Sequence, residues 1–172
     1  MWNREKVEEK IKNLNISSWN IHEYKFIINE KPEAYARERK GRGKHFYNPK
    51  ADIIDRYKKT MKSQLTKDHK KEIEDVYTEV LKELRTAYIE LYCDFYIPIP
   101  KGDSIITAAK KEMKEILPAQ RPDVDNYEKL LLDALHDVVY EDDSRVIKIV
   151  ANKYFSMDPR TEVKVILKEK KV

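Results

Sequence analysis

Carboxylates at two places in the last third of this 172-residue chain have the types and order needed for chemistry on a phosphodiester. Asp123 and Asp125 are followed by Lys129, and Asp142 and Asp143 come further along. Hard cations such as Mg²⁺ bind a few carboxylate oxygens and keep coordination positions for water and substrate phosphate. A lysine beside them can offset negative charge that develops on a phosphate. The combination indicates metal-dependent phosphodiester chemistry.

A helix that begins at the first pair would position these side chains. Pro122 disfavours helical backbone at the residue before it, and Asp123 or Asp125 can cap the helix by accepting amide hydrogens of its first turn. Asp125, Lys129 and Asp133 then share one face, because successive members are four residues apart. The buried stripe of this helix would consist of Leu130, Leu131, Leu132, Ala134, Leu135, Val138 and Val139.

The second acidic pair, Asp142 and Asp143, stands just before a stretch that predicts a strand, with apolar residues Val146, Ile147, Ile149 and Val150. Packing of the helix against this strand could bring the carboxylates of both pairs together. A simpler interpretation stays open, in which the aspartates only cap a helix and a turn and Asp125 with Lys129 forms only a surface ion pair.

A calcium loop of the EF-hand type is excluded for the first pair. Such a loop needs glycine at its sixth position and glutamate at its twelfth. Counted from Asp123, these positions are Glu128 and Ala134.

Together these residues resemble the signature of the RusA family of Holliday junction resolvases, which is common in bacteria and their phages. The family has Asp-x-Asp-Asn-Leu-x-Lys after a basic residue or proline, then Asp-Ala-Leu in an apolar stretch, then Asp-Asp-x-x-Val. Here the pattern reads Pro122, Asp123, Asp125, Asn126, Lys129, Asp133-Ala134-Leu135, Asp142-Asp143 and Val146.

The resemblance covers about the last third of the chain, with a looser similarity from Tyr24 to Pro49. Two positions depart from the pattern: Tyr127 replaces the usual leucine, and His136-Asp137 stands where many members have a glycine-containing turn. Neither departure affects the acidic residues.

The resemblance implies a Mg²⁺-dependent homodimeric nuclease, with Mn²⁺ able to substitute, that nicks four-way DNA junctions symmetrically in recombination and repair. It implies Asp123, Asp125 and Asp143 as metal ligands and Asp142 as a lesser one. Lys129 is implied as an essential helper. The implied catalytic set is therefore Asp123, Asp125, Lys129 and Asp143.

A basic run between Lys31 and Lys50 contains two of the three glycines of the chain, Gly41 and Gly43. Basic side chains neutralise phosphates, and interleaved aromatic side chains can stack on unpaired bases. We therefore predict DNA contacts from Arg37, Arg39, Lys40, Arg42, Lys44 and Tyr47. The alternative is a solvated surface loop.

The composition predicts a domain that works away from membranes. A net charge of +4 permits a DNA partner without indicating one. No apolar stretch has the length of a transmembrane helix, and the first residues lack the apolar core of a signal peptide. The single cysteine, Cys93, lies in an apolar stretch and is expected to be buried. We expect a reducing, cytoplasmic setting.

The remaining pattern predicts a single α+β domain over residues 1–172, with a small mixed β-sheet flanked by helices. Helices are expected within 1–20 (peripheral), twice within 50–87, and at 105–117. Strands are expected at 24–28 and 88–97, and a hairpin at 145–155 and 161–167. Strand order stays open, and the 50–87 segment is longer than the minimum of the resembling family.

We therefore predict a structure-selective DNA endonuclease that resolves four-way junctions as a homodimer. Two alternatives stay open: a nuclease for another branched or flap DNA, and a junction-binding architectural protein that does not cut. A third interpretation is a structural domain whose carboxylates only cap elements.

Overall fold

The computed structural model describes residues 3–13, 18–37, 39–40, 46–83 and 87–170. The helices are α1 (Arg4–Asn13), α2 (Ala51–Gln64), α3 (Lys67–Glu83), α4 (Ile105–Glu112) and α5 (Val124–Leu135). The strands are β1 (Trp19–Ile28), β2 (Arg39–Lys40), β3 (Phe46–Tyr47), β4 (Ala87–Pro98), β5 (Val146–Ser156) and β6 (Arg160–Lys170). A 3₁₀ turn, Asp143–Arg145, leads into β5.

Four strands form a mixed sheet in the order β1-β6-β4-β5. Strand β4 runs antiparallel to β6 and parallel to β5, and β1 pairs antiparallel with β6. Strands β2 and β3 form a separate two-stranded ladder. The predicted fold class, α+β with a small mixed sheet flanked by helices, is confirmed.

The centre of the sheet is β4, because its alternating sequence buries one whole face against helices. Ile89, Leu91, Cys93, Phe95 and Ile97 are all buried on that face. Cys93 is buried as predicted, and burial raises the pKa of its thiol to about 12. The thiol is therefore an apolar core group.

Helices α2, α3 and α5 contact strands β1, β4 and β5 respectively. The two helices predicted within residues 50–87 are confirmed as α2 and α3, which meet at residues 65–66. They supply core side chains Tyr57, Met61, Leu65, Ile73, Val76 and Tyr77. This helical segment is therefore part of the hydrophobic core.

The predicted hairpin of β5 and β6 is wrong, although both strands exist. Strand β4 lies between them, since it pairs with β5 on one side and β6 on the other. The short connection Met157–Pro159 passes the end of β4, where Ser156 lies opposite Pro98. Because β5 and β6 are close in sequence, direct pairing between them was expected. Instead the apolar strand β4 lies between them, and both of its edges are covered by hydrogen-bonded neighbours.

Two predicted helix lengths also differ from the structure. Helix α4 ends at Glu112 rather than at residue 117, and Lys114 has a left-handed backbone with φ 62°. Helix α5 ends at Leu135, so Val138 and Val139 are buried in the following turn and not on the helix. Helix α1 lies within the predicted region 1–20. Among the described helices, none combines the length and apolar character needed to cross a bilayer.

Candidate functional site

The first acidic pair is presented at the N-terminus of α5. Asp123 is the N-cap residue, with extended backbone, yet its side chain makes no capping hydrogen bond. Asp123 and Asp125 are both exposed. The positive end of the helix dipole favours negative charge at this position. The Asp123 carboxylate is therefore available for a ligand rather than used as a cap.

Asp125 and Lys129 form an ion pair one helical turn apart. The Lys129 Nζ donates to the Asp125 Oδ2 at 2.9 Å, and each side chain is 55% exposed. This hydrogen bond lowers the pKa of Asp125 and raises the pKa of Lys129. Asp125 therefore stays a carboxylate, and Lys129 stays an ammonium, at neutral pH.

The turn that carries Asp123 is fixed by Lys153 from strand β5. The Lys153 Nζ donates to the carbonyl oxygen of Gln120 at 2.7 Å and to that of Pro122 at 2.8 Å. Pro122 is preceded by a cis peptide bond. The carbonyl of the residue just before Asp123 is thus tied to the edge of the sheet, which orients the start of α5.

The second acidic pair lies in the 3₁₀ turn before β5. Asp142 caps this turn, because its Oδ1 accepts the amide hydrogen of Ser144 at 2.9 Å, and this bond lowers the pKa of Asp142. Asp143 is exposed. Partial burial raises the pKa of Asp133, and the negative charge of Asp143 raises it further. Asp143 is therefore near enough to Asp133, which lies in the C-terminal half of α5, for the two charges to repel each other.

The structure does not gather the two acidic pairs in one copy of the chain. Asp125 is in the first turn of α5 and Asp133 is eight residues further, about 12 Å along the axis at 1.5 Å per residue. Within the described residues, no three histidine, cysteine, aspartate or glutamate side chains are placed to hold one metal ion. Asp123 with Asp125, and Asp143 with Asp133, are separate groups at opposite ends of one helix.

The first part of the basic run lies against the first turn of α5. The Tyr35 amide donates to the carbonyl oxygen of Asn126 at 2.7 Å. Glu33 accepts from Lys50 Nζ at 2.6 Å, and its amide donates to the Tyr57 hydroxyl. The basic run is therefore anchored next to Asp123 and Asp125 at its N-terminal side.

The run itself contains a β-hairpin, whose backbone pairs Arg39 with Tyr47 and Lys40 with Phe46. Arg37, just before it, is exposed. Of the other predicted DNA contacts, Arg42 and Lys44 lie outside the described residues. For Arg39, Lys40 and Tyr47 the backbone alone is described. We call residues 37–47 the basic hairpin.

Two side chains near the site gave no signal in the sequence. In the sequence Lys153 cannot be told from any other lysine of a strand, because its role depends on the packing of β5 beside residues 120–122. Lys58 of α2 donates to Asp137 at 3.4 Å, and its positive charge partly offsets the rise in the pKa of Asp133 that burial causes. Tyr127, which departs from the usual leucine, is buried and stacks on Phe95 with ring centroids 5.3 Å apart.

Comparison with known proteins agrees with these features. The sequence model of the family described as Endodeoxyribonuclease RusA matches residues 29–166, which extends well beyond the last third of the chain. The uncharacterized protein YqaN of Bacillus subtilis (strain 168) is 40% identical over 81 residues. That match covers 45% of this chain and 56% of YqaN, so it spans about half of the relative. The chain belongs to the RusA endodeoxyribonuclease family.

Proposed function

We propose that the protein is a divalent-metal-dependent endonuclease that resolves four-way DNA junctions in recombination, with Asp123, Asp125, Lys129 and Asp143 as its catalytic residues. One observation carries the proposal beyond family membership. Tyr35, two residues before the basic hairpin, donates its amide hydrogen to the carbonyl oxygen of Asn126, the residue that follows Asp125. A phosphate-binding element and a carboxylate pair then face the same region of substrate.

The carboxylates at the start of α5 fit a hard cation by donor chemistry. Mg²⁺ commonly binds one or two carboxylates and completes its shell with water and substrate phosphate. The Asp123 side chain makes no capping hydrogen bond, and Asp125 is ionised, so both carboxylates could bind the ion. A divalent ion there supplies positive charge to the scissile phosphate and lowers the pKa of an attacking water.

Lys129 could pair either with Asp125 or with a phosphate of the substrate. Without a cation it neutralises Asp125. Occupation of Asp125 by a cation would release the ammonium, which could then contact the phosphate that gains charge in the transition state. Lys129 thus opposes ion binding and assists cleavage, and these effects can be measured separately.

A homodimer could bring an Asp143 carboxylate to Asp123 and Asp125, which a single copy does not do. Asp143 lies at the far end of α5 from Asp123 and Asp125, so we propose that the catalytic set is completed by Asp143 of a second copy. A two-fold dimer also matches the symmetry of a four-way junction and its two opposed nicks. Nicking of flap DNA, or binding without cutting, would be the alternatives.

We expect the protein to cleave a four-way junction in Mg²⁺ or Mn²⁺ and to leave plain duplex uncut. Mobile and fixed junctions, a flap and a duplex should be compared on denaturing gels, with EDTA as the control for metal dependence. Paired nicks at symmetric positions are expected for the junctions alone. Equal cleavage of the flap would identify a broader branched-DNA nuclease, and binding without any cleavage would contradict the proposal.

Replacing Lys129 by glutamine is expected to strengthen ion binding and weaken cleavage. The amide leaves Asp125 without its cation partner, so Mn²⁺ should raise the melting temperature at lower concentrations than in the unmodified protein. An ion at a hundredfold excess over its Kd stabilises the native state by about 2.7 kcal/mol. Single-turnover cleavage at saturating Mn²⁺ should nevertheless fall, since the lysine acts on the transition state.

Two variants control this experiment. Asp125→Asn should abolish most of the Mn²⁺-dependent rise in melting temperature, and Lys62→Gln, an exposed change on α2, should leave both readouts unchanged. If Lys129→Gln cuts normally, Lys129 has no role in the chemistry. If its ion affinity is unchanged, Asp125 does not bind the ion.

The basic hairpin should act mainly through phosphates. Replacing Arg39, Lys40 and Arg42 together by alanine is expected to lower the slope of log affinity against log salt by about 2–3, roughly one for each lost phosphate contact. Binding to a four-way junction is measured by fluorescence anisotropy over a range of salt concentrations in EDTA. Wild-type salt dependence of the triple variant would make the hairpin a solvated connection only.

A further inference from the structure

One face of the four-stranded sheet meets a described helix only at the end of β5, where Glu112 of α4 accepts hydrogen bonds from Ser156 and Met157. Side chains alternate between faces along a strand, and the buried residues of β4 point towards α2, α3 and α5. Helix α4 lies near the end of β5, where Lys111 contacts the helix-side ring of Phe155 at 4.3 Å. The other face of β1, β6, β4 and β5 we call the open face.

Aromatic rings run along the open face on three strands. Tyr88, Tyr92 and Tyr96 are four residues apart on β4, which places successive rings about 13 Å apart along the strand. Trp19 of β1 lies 5.5 Å from Tyr88, and Tyr154 of β5 lies 5.6 Å from Tyr96, as ring centroids. Trp19 is 39% exposed.

Cations lie over these rings. The guanidinium carbon of Arg160 is 3.9 Å from the centre of the Tyr96 ring, and the Lys114 Nζ is 4.0 Å from that of Tyr154. Lys164 approaches the Tyr92 ring at 4.7 Å. Tyr92, Tyr96 and Tyr154 are therefore each paired with a cation, and Arg160 is also ion-paired with Glu162.

The charge of the open face is positive. By strand register its basic residues, with Lys114 reaching over the edge, are Lys25, Lys114, Lys148, Arg160, Lys164, Lys168 and Lys170. Its acidic residues are Glu23, Glu90, Asp94 and Glu162. A second copy packed face to face would bring two positive surfaces together, and protein interfaces are depleted in lysine. A polyanion is the better match.

Two shallow depressions on this face have the size for planar groups. One, of about 270 Å³, is lined by Trp19, Ile21, Tyr88, Ile147 and Lys168. The other, of about 340 Å³, is lined in part by Lys25, Tyr92, Asp94, Glu162 and Lys164. Both combine a ring with a lysine, as a base and its neighbouring phosphate would require.

The open face is continuous with the candidate catalytic site across the edge of β5. Lys153 points to the helix side and holds the turn before Asp123. The next residue, Tyr154, points to the open face beside Tyr96. Residues 114–120 cross this edge, because Lys114 lies over the Tyr154 ring and the Gln120 carbonyl oxygen accepts from Lys153. A strand that leaves the Asp123 region would reach these rings by passing alongside that crossing.

We propose that the open face binds unpaired single-stranded DNA that leaves the cleavage site, an inference that rests on the proposed nuclease function. On binding, each ammonium or guanidinium leaves its ring and contacts a phosphate, and a base stacks on the ring face that the cation has left. Stacking of bases on aromatic side chains together with a positive track is the general mode for single strands without sequence preference.

The test measures anisotropy of a fluorescein-labelled oligothymidine, in EDTA so that no cleavage occurs. Tyr92→Leu/Tyr154→Leu should weaken binding by about tenfold or more for each ring. Tyr92→Phe/Tyr154→Phe keeps both rings and should bind like the unmodified protein. Lys114→Gln/Lys164→Gln should lower the salt slope by about 1.4, from about 0.7 for each single-strand phosphate contact.

The matched control for charge is Lys67→Gln/Lys71→Gln, two exposed positions on α3, with no change in salt slope. The lysine variants cannot disturb the core, so they decide the matter if the leucine variant does not fold. Unchanged oligothymidine binding in the folded open-face variants overturns the proposal. So does a leucine variant whose sedimentation shows a lost dimer with normal DNA affinity, since the face would then join two copies.

The two proposals fail separately. If junctions are cut but the open-face variants bind oligothymidine normally, the nuclease function stands and the open-face site is wrong. If open-face variants lose oligothymidine but the unmodified protein cuts no junction, the single-strand site stands and the nuclease function is wrong.

Discussion

Asp143→Asn is expected to separate junction binding from junction cutting. Cleavage should fall by a factor on the order of 10²–10³, the range seen when one preorganised electrostatic group is removed from an active site. Binding should persist or tighten, because the change also removes a negative charge near the DNA phosphates. Band shifts in Ca²⁺ and single-turnover cleavage in Mg²⁺, on the same preparation, measure the two quantities.

The variant should be at least as stable as the unmodified protein. The negative charge of Asp143 raises the pKa of Asp133, so an amide at position 143 removes a repulsion that operates when both groups are ionised. This repulsion exists above the Asp133 pKa and is lost as pH falls below it. The stabilising effect of Asp143→Asn should therefore be seen at neutral pH and vanish in acid.

Asp137→Asn is the matched control for this prediction. It removes one negative charge from the same end of α5, and the left-handed backbone at Asp137, with φ 62°, suits asparagine. Asp137 is paired with Lys58 and His136, and an amide oxygen can still accept from either. Cleavage by Asp137→Asn should be normal. Near-normal cleavage by Asp143→Asn would instead refute the role of Asp143.

The motif was readable from the sequence because its chemistry is local. Asp123, Asp125 and Lys129 stand within two turns of one helix, and the proline before them and the apolar stripe after them fix where that helix begins. The ion pair of Asp125 with Lys129 follows from spacing alone. The same holds for α2 and α3, whose apolar periodicity is strong.

What the sequence did not reveal depends on contacts between distant segments. The central position of β4 between β5 and β6 is a choice among strand orders that all satisfy the same alternation. The hydrogen bonds of Lys153 to Gln120 and Pro122 follow from that arrangement. The end of α4 at Glu112 likewise had no marker, because Lys114 adopts a left-handed conformation without being glycine.

The separation of Asp143 from Asp125 has the same origin. Helix α5 runs antiparallel to β5, since Lys153 near the end of β5 meets Pro122 at the start of the helix. The residues just before β5 must then lie beside the other end of α5. A motif in which both acidic pairs are near in sequence therefore places them far apart in one copy, and this geometry leads to a test of assembly.

Mixed dimers of Asp125→Asn with Asp143→Asn are expected to regain nicking that neither homodimer has. If Asp125 of one copy works with Asp143 of its partner, both lesions fall in one site and the other site is intact. Differently tagged chains, co-expressed and purified through both tags, give the mixed species alone. Its rate of first nicking should be about half that of the unmodified dimer, which has two sites by symmetry.

The DNA product of the mixed dimer distinguishes a catalytic site shared between two copies from a site formed within one copy. On a supercoiled cruciform plasmid the unmodified dimer should give linear DNA through paired nicks, whereas the mixed dimer, with one intact site, should stop at open circles. Mixed dimers of Asp123→Asn with Asp125→Asn serve as the control, since each site then carries one lesion and no activity returns. An inactive Asp125→Asn and Asp143→Asn mixture would mean that both carboxylates act within one copy, and α5 or the turn before β5 would have to move on DNA binding. A chain that sediments as a monomer while it resolves junctions would exclude the shared site altogether.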